Sequence, residues 1–211
     1  MKIKTDITEY IQNFDNEIDS ESEWIITHMY MMRNELISII HSLRIANIIE
    51  KEYEYMLENN IRGCYSPVRS ALIESIPYRI IMGLGKLLVG NKEYSINKTI
   101  NKMRQMPEFN KKPNVMSYIK KIEDFIFDSP TVKAVATLRD GFYAHLDKAS
   151  VISDCRVDVM IPLKNIHENE LLELLRLLKC LYESSCDYIM PIDVEDINHQ
   201  EVIEMIFNHS S

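Results

Sequence analysis

Glycine and proline are scarce in this chain, 5 and 7 among 211 residues. That scarcity excludes collagen-like and turn-dense all-β architectures and disfavours any design built on glycine-rich loops. Cysteine is thin as well. Cys64, Cys155, Cys180 and Cys186 form no Cys-x-x-Cys pair and lack zinc-finger spacing with histidine. Cys180 and Cys186 are six positions apart, roughly 120° from each other around a helix, so all four read as free thiols of a reducing compartment. Long apolar runs are missing too: the stretch from Ile80 to Val89 is interrupted by Lys86 and too short to span a bilayer. The opening Met1-Lys2-Ile3-Lys4-Thr5-Asp6 is charged and has no apolar signal-peptide core. A cytoplasmic protein without a membrane partner is the expectation. No His-Glu-x-x-His, Gly-x-Ser-x-Gly or phosphate-loop pattern occurs.

What is present is helical patterning. Ser20 and Glu23 have capping-box spacing, and Ile25, Met29, Met32, Leu36, Ile39 and Leu43 then recur in steps of four and three, one face of a helix. The pattern drifts through Ile45, Ile49 and Met56 before Asn59-Asn60 and Gly63 stop it, as one long helix or two collinear ones. Ser66-Pro67 opens the next helix with a cap and a proline at its first position. Its apolar row is Val68, Leu72, Ile76, Ile80, Leu84 and Leu88, with Pro77 expected to kink or split it and Gly90-Asn91 to close it. Short helices follow over Ser95–Gln105 and Val115–Phe127. Ser129-Pro130 starts a segment running to about His145, with Val132, Val135, Ala136 and Leu138 on its apolar side. Residues 151–163 alternate, with Val157, Val159 and Ile161 against Arg156, Asp158 and Met160, which predicts an extended, strand-like piece. From Ile166 to Tyr188 the chain is leucine-rich and helical, Pro191 ends it, and Val194–Asn208 forms a terminal helix or tail. The fold class is therefore all-α, with a small extended segment near 151–163 and C-terminal helices.

The net charge of −8 hides an asymmetry. Residues 1–60 carry 5 basic and 12 acidic side chains, residues 61–150 carry 15 and 8, and residues 151–211 carry 4 and 12. A basic middle between acidic flanks allows a phosphate-binding surface on an acidic protein.

One segment places several chemically active side chains together: Leu138-Arg139-Asp140-Gly141-Phe142-Tyr143-Ala144-His145-Leu146-Asp147. On an ideal helix Arg139 and His145 would lie roughly 120° and 9 Å apart, so their convergence needs a looser helix near Gly141, a helix end at His145, or an arginine that swings back. His145 suits proton transfer near neutral pH. Arg139 is permanently charged and can bind two phosphate oxygens at once. Asp140 can orient either of them, and Tyr143 can donate a hydrogen bond or stack on a base. Structural roles compete with each: an Arg139–Asp140 ion pair at a helix end, a His145 helix cap, a packing role for Tyr143, and a turn cap for Asp147. The remaining histidines, His28, His41, His167, His199 and His209, are scattered without metal-ligand spacing.

The Arg-Asp-x4-His string resembles the Arg-x(4–6)-His motif of HEPN domains, and its Ala-His-x-Asp ending is similar to that of the abortive-infection U-type HEPN proteins. Upstream, Tyr78-Arg79-Ile80-Ile81-Met82-Gly83-Leu84-Gly85-Lys86-Leu87-Leu88 and Ser95-Ile96 resemble the helix and follow-on that precede the motif there. The resemblance covers about residues 20–150. It implies an up-and-down four-helix bundle over 1–150, with 151–211 as a C-terminal extension packing on it. It also implies a homodimer whose two motifs face each other across a basic cleft, and a metal-independent endoribonuclease of toxin or phage-defence type that needs no cofactor. Arg139, His145 and Asp140 are then the catalytic set, and Arg79, Lys86 and Tyr143 meet RNA. An antitoxin is a further expected partner. The family alternative is a catalytically inactive module that binds a protein or nucleotide. Some family toxins carry a tyrosine two residues after the histidine for modification by an antitoxin; here that position is Asp147, which does not support such control.

Overall fold

A computed structural model of the protein describes residues 5–6, 21–61, 67–89, 95–139 and 161–207. Helix dominates them. The Ile25–Leu43 stripe forms α1, Glu21–Glu58, one uninterrupted helix of 38 residues and about 57 Å. Ile25, Met29, Met32, Leu36, Ile39 and Leu43 are all buried, and the burial continues to Ile49 and no further. The helix stops where the asparagines stand. Asn60 adopts φ 55°, the left-handed conformation that asparagine tolerates, and the amides of Asn60 and Ile61 donate to the carbonyls of Leu57 and Met56, a Schellman closure.

Helix α2, Pro67–Leu88, runs through Pro77 without splitting. It lies antiparallel on α1. Arg79 reaches Glu35 and Ser38, whereas Leu87, two turns later, lies beside His28 and Met32, about two turns earlier on α1. Gly83 permits this close approach: a Cβ there would stand 2.8 Å from Cδ1 of the buried Ile39. Helix α3, Ile96–Gln105, starts at Ser95, whose hydroxyl accepts from the Lys98 amide. The single turn α4, Pro107–Asn110, leads to α5, Pro113–Asp128. Helix α5 starts two residues before the apolar pattern does because a proline without an N–H is at home in a helix's first turn. Helix α6, Pro130–Leu138, follows directly.

The expected extended segment is corrected where it can be compared. Residues 151–160 lie outside the described residues, but Ile161–Asn165 is a 3₁₀ turn, because Pro162 fixes φ and removes a ladder donor. The leucine-rich helix α7 spans Glu168–Ser185 and buries Leu171, Leu174, Leu178 and Leu181. It ends three residues before Tyr188: Cys186 is extended, and Ser185 turns its hydroxyl back onto the Leu181 carbonyl. Beyond it Lys179 and Glu183, one turn apart on α7, take the carbonyl and the amide of Met190 respectively. Tyr188–Ile189 (β2) pairs in parallel with Thr5–Asp6 (β1), the one strand pair among the described residues, and no sequence signal announces it. Helix α8 covers His199–Phe207.

The core is continuous across residue 150. Helix α7 packs on α1 and α5, antiparallel to both, as the Arg44–Glu168 pair and the Lys112 ammonium donating to the Ser185 carbonyl show. Tyr182 is fully buried there, and desolvation, with the neighbouring Cys186, pushes its phenol well above the ordinary range. Among the described residues no helix is long and apolar enough to cross a membrane.

Candidate functional site

Helix α6 carries the start of the motif, and both its ends are fastened. At the N-terminus Ser129 accepts from the Val132 amide and donates to Glu170 of α7. The same Glu170 oxygen accepts from the Thr131 amide, and the Thr131 hydroxyl accepts from the His167 amide. Ser129 is buried, so its hydroxyl is the joint between α6 and α7. Ser129→Ala is expected to lower stability by about 1–2 kcal/mol, since it removes a cap and strips a partner from Glu170; a denaturant midpoint measures it.

At the other end Arg139 continues the helical backbone, with φ −61° and ψ −49°. Its stem lies along Gly85 of α2, where a Cβ would come within 2.6 Å of the Arg139 Cδ. The guanidinium Nη1 donates to the carbonyls of Val89 at 3.0 Å and Gly85 at 3.4 Å. Both lie at the C-terminal end of α2, where a cation is favoured by the helix dipole; the Gly85 carbonyl also accepts from the Val89 amide. Arg139 therefore binds the end of α2. Asp140, Tyr143, His145 and Asp147 lie outside the described residues.

The two proposed RNA-contacting residues of α2 are two turns apart on one exposed face. Arg79 is engaged with α1, 3.6 Å from Glu35 and 2.8 Å from the Ser38 hydroxyl. Lys86 is exposed at the rim of a pocket of about 100 Å³, lined with His28, Met31, Met32, Glu35 and Leu87. The same end of the α1–α2 pair holds a group that the sequence reading did not single out. Trp24 packs against His28 with ring centroids 4.0 Å apart and planes tilted by 48°, and the Lys102 ammonium sits 3.8 Å from the Trp24 centroid and 3.6 Å from Glu21. Its one sequence signal was the tryptophan, the single one in the chain, one turn before a histidine.

Among the described residues no group of three His, Cys, Asp or Glu side chains is arranged to hold a metal ion. Tyr118 is pushed above its ordinary value by the neighbouring Cys180; it belongs to the α5–α7 contact rather than to the candidate set. No family model matches the chain, and no curated protein or solved structure is significantly similar to it.

Proposed function

We infer that the protein is a HEPN-type, metal-independent endoribonuclease acting as a toxin or phage-defence effector. The observation that carries this reading is the Arg139…His145 motif beginning at the end of a helix fastened at both ends in an all-α body. Cleavage proceeds by attack of the RNA 2′-hydroxyl on the adjacent phosphorus, so the substrate supplies its own nucleophile. His145 takes the hydroxyl proton or delivers one to the leaving 5′-oxygen. Arg139 stabilises the charge that builds on the non-bridging oxygens, and Asp140 orients its neighbours. The same reading makes the protein a homodimer, with helices of the bundle facing their copies across the RNA cleft.

Incubating the pure protein with total RNA in EDTA tests the reading. Fragments ending in 2′,3′-cyclic phosphate are the expected product, and intact RNA over a range of salt concentrations would dispose of the nuclease.

A second reading has one observation in its favour. The Arg139 guanidinium is held by the α2 carbonyls, a structural use that fits a catalytically inactive HEPN-like module binding a protein or nucleotide. In the nuclease that anchorage fixes the cation before substrate arrives; in the inactive module it is the residue's whole purpose.

A further inference from the structure

Most cations of the described residues are already committed. Arg44 pairs with Glu168, Arg79 with Glu35, Lys102 with Glu21, Arg104 with Glu123, Lys164 with Glu50, Arg176 with Glu173 and Lys179 with Glu183. Arg33, Lys112, Lys133 and Arg139 donate to backbone carbonyls. Lys121 lies over the Tyr118 ring, and the side chains of Lys51, Lys98, Lys111 and Lys120 have no ion-pair, hydrogen-bond or cation–π partner among the described residues. Lys51 stands between Glu50 and Glu52 on α1, whereas the other three all belong to the run α3–α5.

That run is basic as a whole, with seven Lys or Arg against two Glu from Ser95 to Glu123. Helix α3 buries Ile96, Thr99, Ile100 and Met103 and turns Lys98, Asn101 and Gln105 outward; α5 buries Val115, Ile119 and Ile122 and turns out Asn114 and Lys120. Lys111 stands exposed on the link between α4 and α5. Arg104 and Glu123 join α3 to α5, so the helices of the run pack together.

We propose that the outward surface of α3–α5 binds the sugar–phosphate backbone of single-stranded RNA, holding the substrate beside the cleaved phosphodiester; this rests on the ribonuclease reading. Uncommitted ammonium groups neutralise phosphates without first breaking an ion pair, and release condensed counterions on doing so. The interleaved amides of Asn101, Gln105 and Asn114 offer both donors and acceptors to sugars and base edges. An anionic membrane fits less well, because peripheral binding needs apolar side chains to insert, and none of the exposed large hydrophobic residues lies between Ser95 and Lys121. The surface is also within reach of the motif. Arg139 holds the Val89 carbonyl, and Ser95, which caps α3, is only six residues further on, about 22 Å at full extension.

The test uses the whole protein and a labelled 2′-O-methyl RNA oligonucleotide, which lacks the nucleophile and stays intact while binding is measured across a salt series. Reversing Lys98, Lys111 and Lys120 together to Glu is expected to weaken binding and to lower the slope of log K against log salt by about 2, since each single-strand phosphate that the protein no longer neutralises removes about 0.7. Lys51→Glu is the control and is expected to change neither. An unchanged slope in the triple variant, an equal loss in the control, or binding to phosphatidylserine vesicles in place of RNA overturns the proposal. Cleavage of unmodified RNA by the parent protein is read separately. If it cleaves while the triple variant binds normally, the surface assignment fails and the nuclease stands. If it binds through the three lysines and does not cleave, the surface stands and the nuclease fails.

Discussion

Replacing His145 with alanine is expected to slow RNA cleavage by about 10²–10⁴-fold, the usual worth of a positioned acid–base group. Folding stability should move by no more than about 0.5 kcal/mol, because a group that works on the substrate has little to do with the fold. Glutamine at the same position separates chemistry from capping. Its amide can still hydrogen-bond at a helix end, but it cannot carry a proton near neutral pH. Single-turnover cleavage of a defined RNA and a thermal melt are the two measurements. Full activity in His145→Gln, or collapse of the fold in His145→Ala, would show that the imidazole is structural and would leave the nuclease without its proton carrier.

The second large effect is expected at Arg139 and at the glycine beneath it. Arg139→Ala removes the cation and also takes a donor from the Val89 and Gly85 carbonyls, of which Gly85 keeps the Val89 amide. Cleavage should therefore fall by about 10²-fold or more, and stability by about 1.5–3 kcal/mol, the range for hydrogen bonds to a charged group. Gly85→Ala should reproduce much of this without touching the arginine. In a helix interior, glycine to alanine ordinarily stabilises by about 0.5–1 kcal/mol. Here the added Cβ would meet the Arg139 stem at 2.6 and 3.2 Å, so the arginine must leave its seat. The expected result is a net loss of stability and about tenfold or more slower cleavage. A stabilised, fully active Gly85→Ala protein would mean that the position of Arg139 against α2 is irrelevant to function.

Much of the fold was legible because it is written locally. The α1 stripe has helical spacing, and every residue of the Ile25–Leu43 set is buried. Ser129 before Pro130 signals a helix start, and it caps that helix. What was not legible depends on partners far away in sequence. Two residues, Tyr188 and Ile189, become a strand only because Thr5 and Asp6 lie beside them; no periodicity fits into two residues. Alternation read through residues 157–161 carried the extended expectation past Pro162 into a 3₁₀ turn. At the candidate site the motif shows arginine and histidine but not which glycine the arginine lies on. The contact between Gly85 and Arg139 joins residues far apart in the chain and has no sequence signature. Arg79 also pairs with Glu35 on α1, and pairing across helices is invisible to a count of charges.

The antiparallel embrace of α1 by α7 sets an order of events during synthesis. The first long helix to leave the ribosome has its apolar stripe ready, but one of the surfaces that covers it is made more than a hundred residues later, as the Arg44–Glu168 pair illustrates. Closing so long a loop must precede the reward of the contact, and until then the part of the α1 stripe that α7 covers is left without its late partner. Helix α6 takes its N-terminal fastening from Glu170 on that same late segment. A nascent chain stopped before Glu168 therefore lacks the joint that fastens the start of α6, the helix that carries Arg139 at its end.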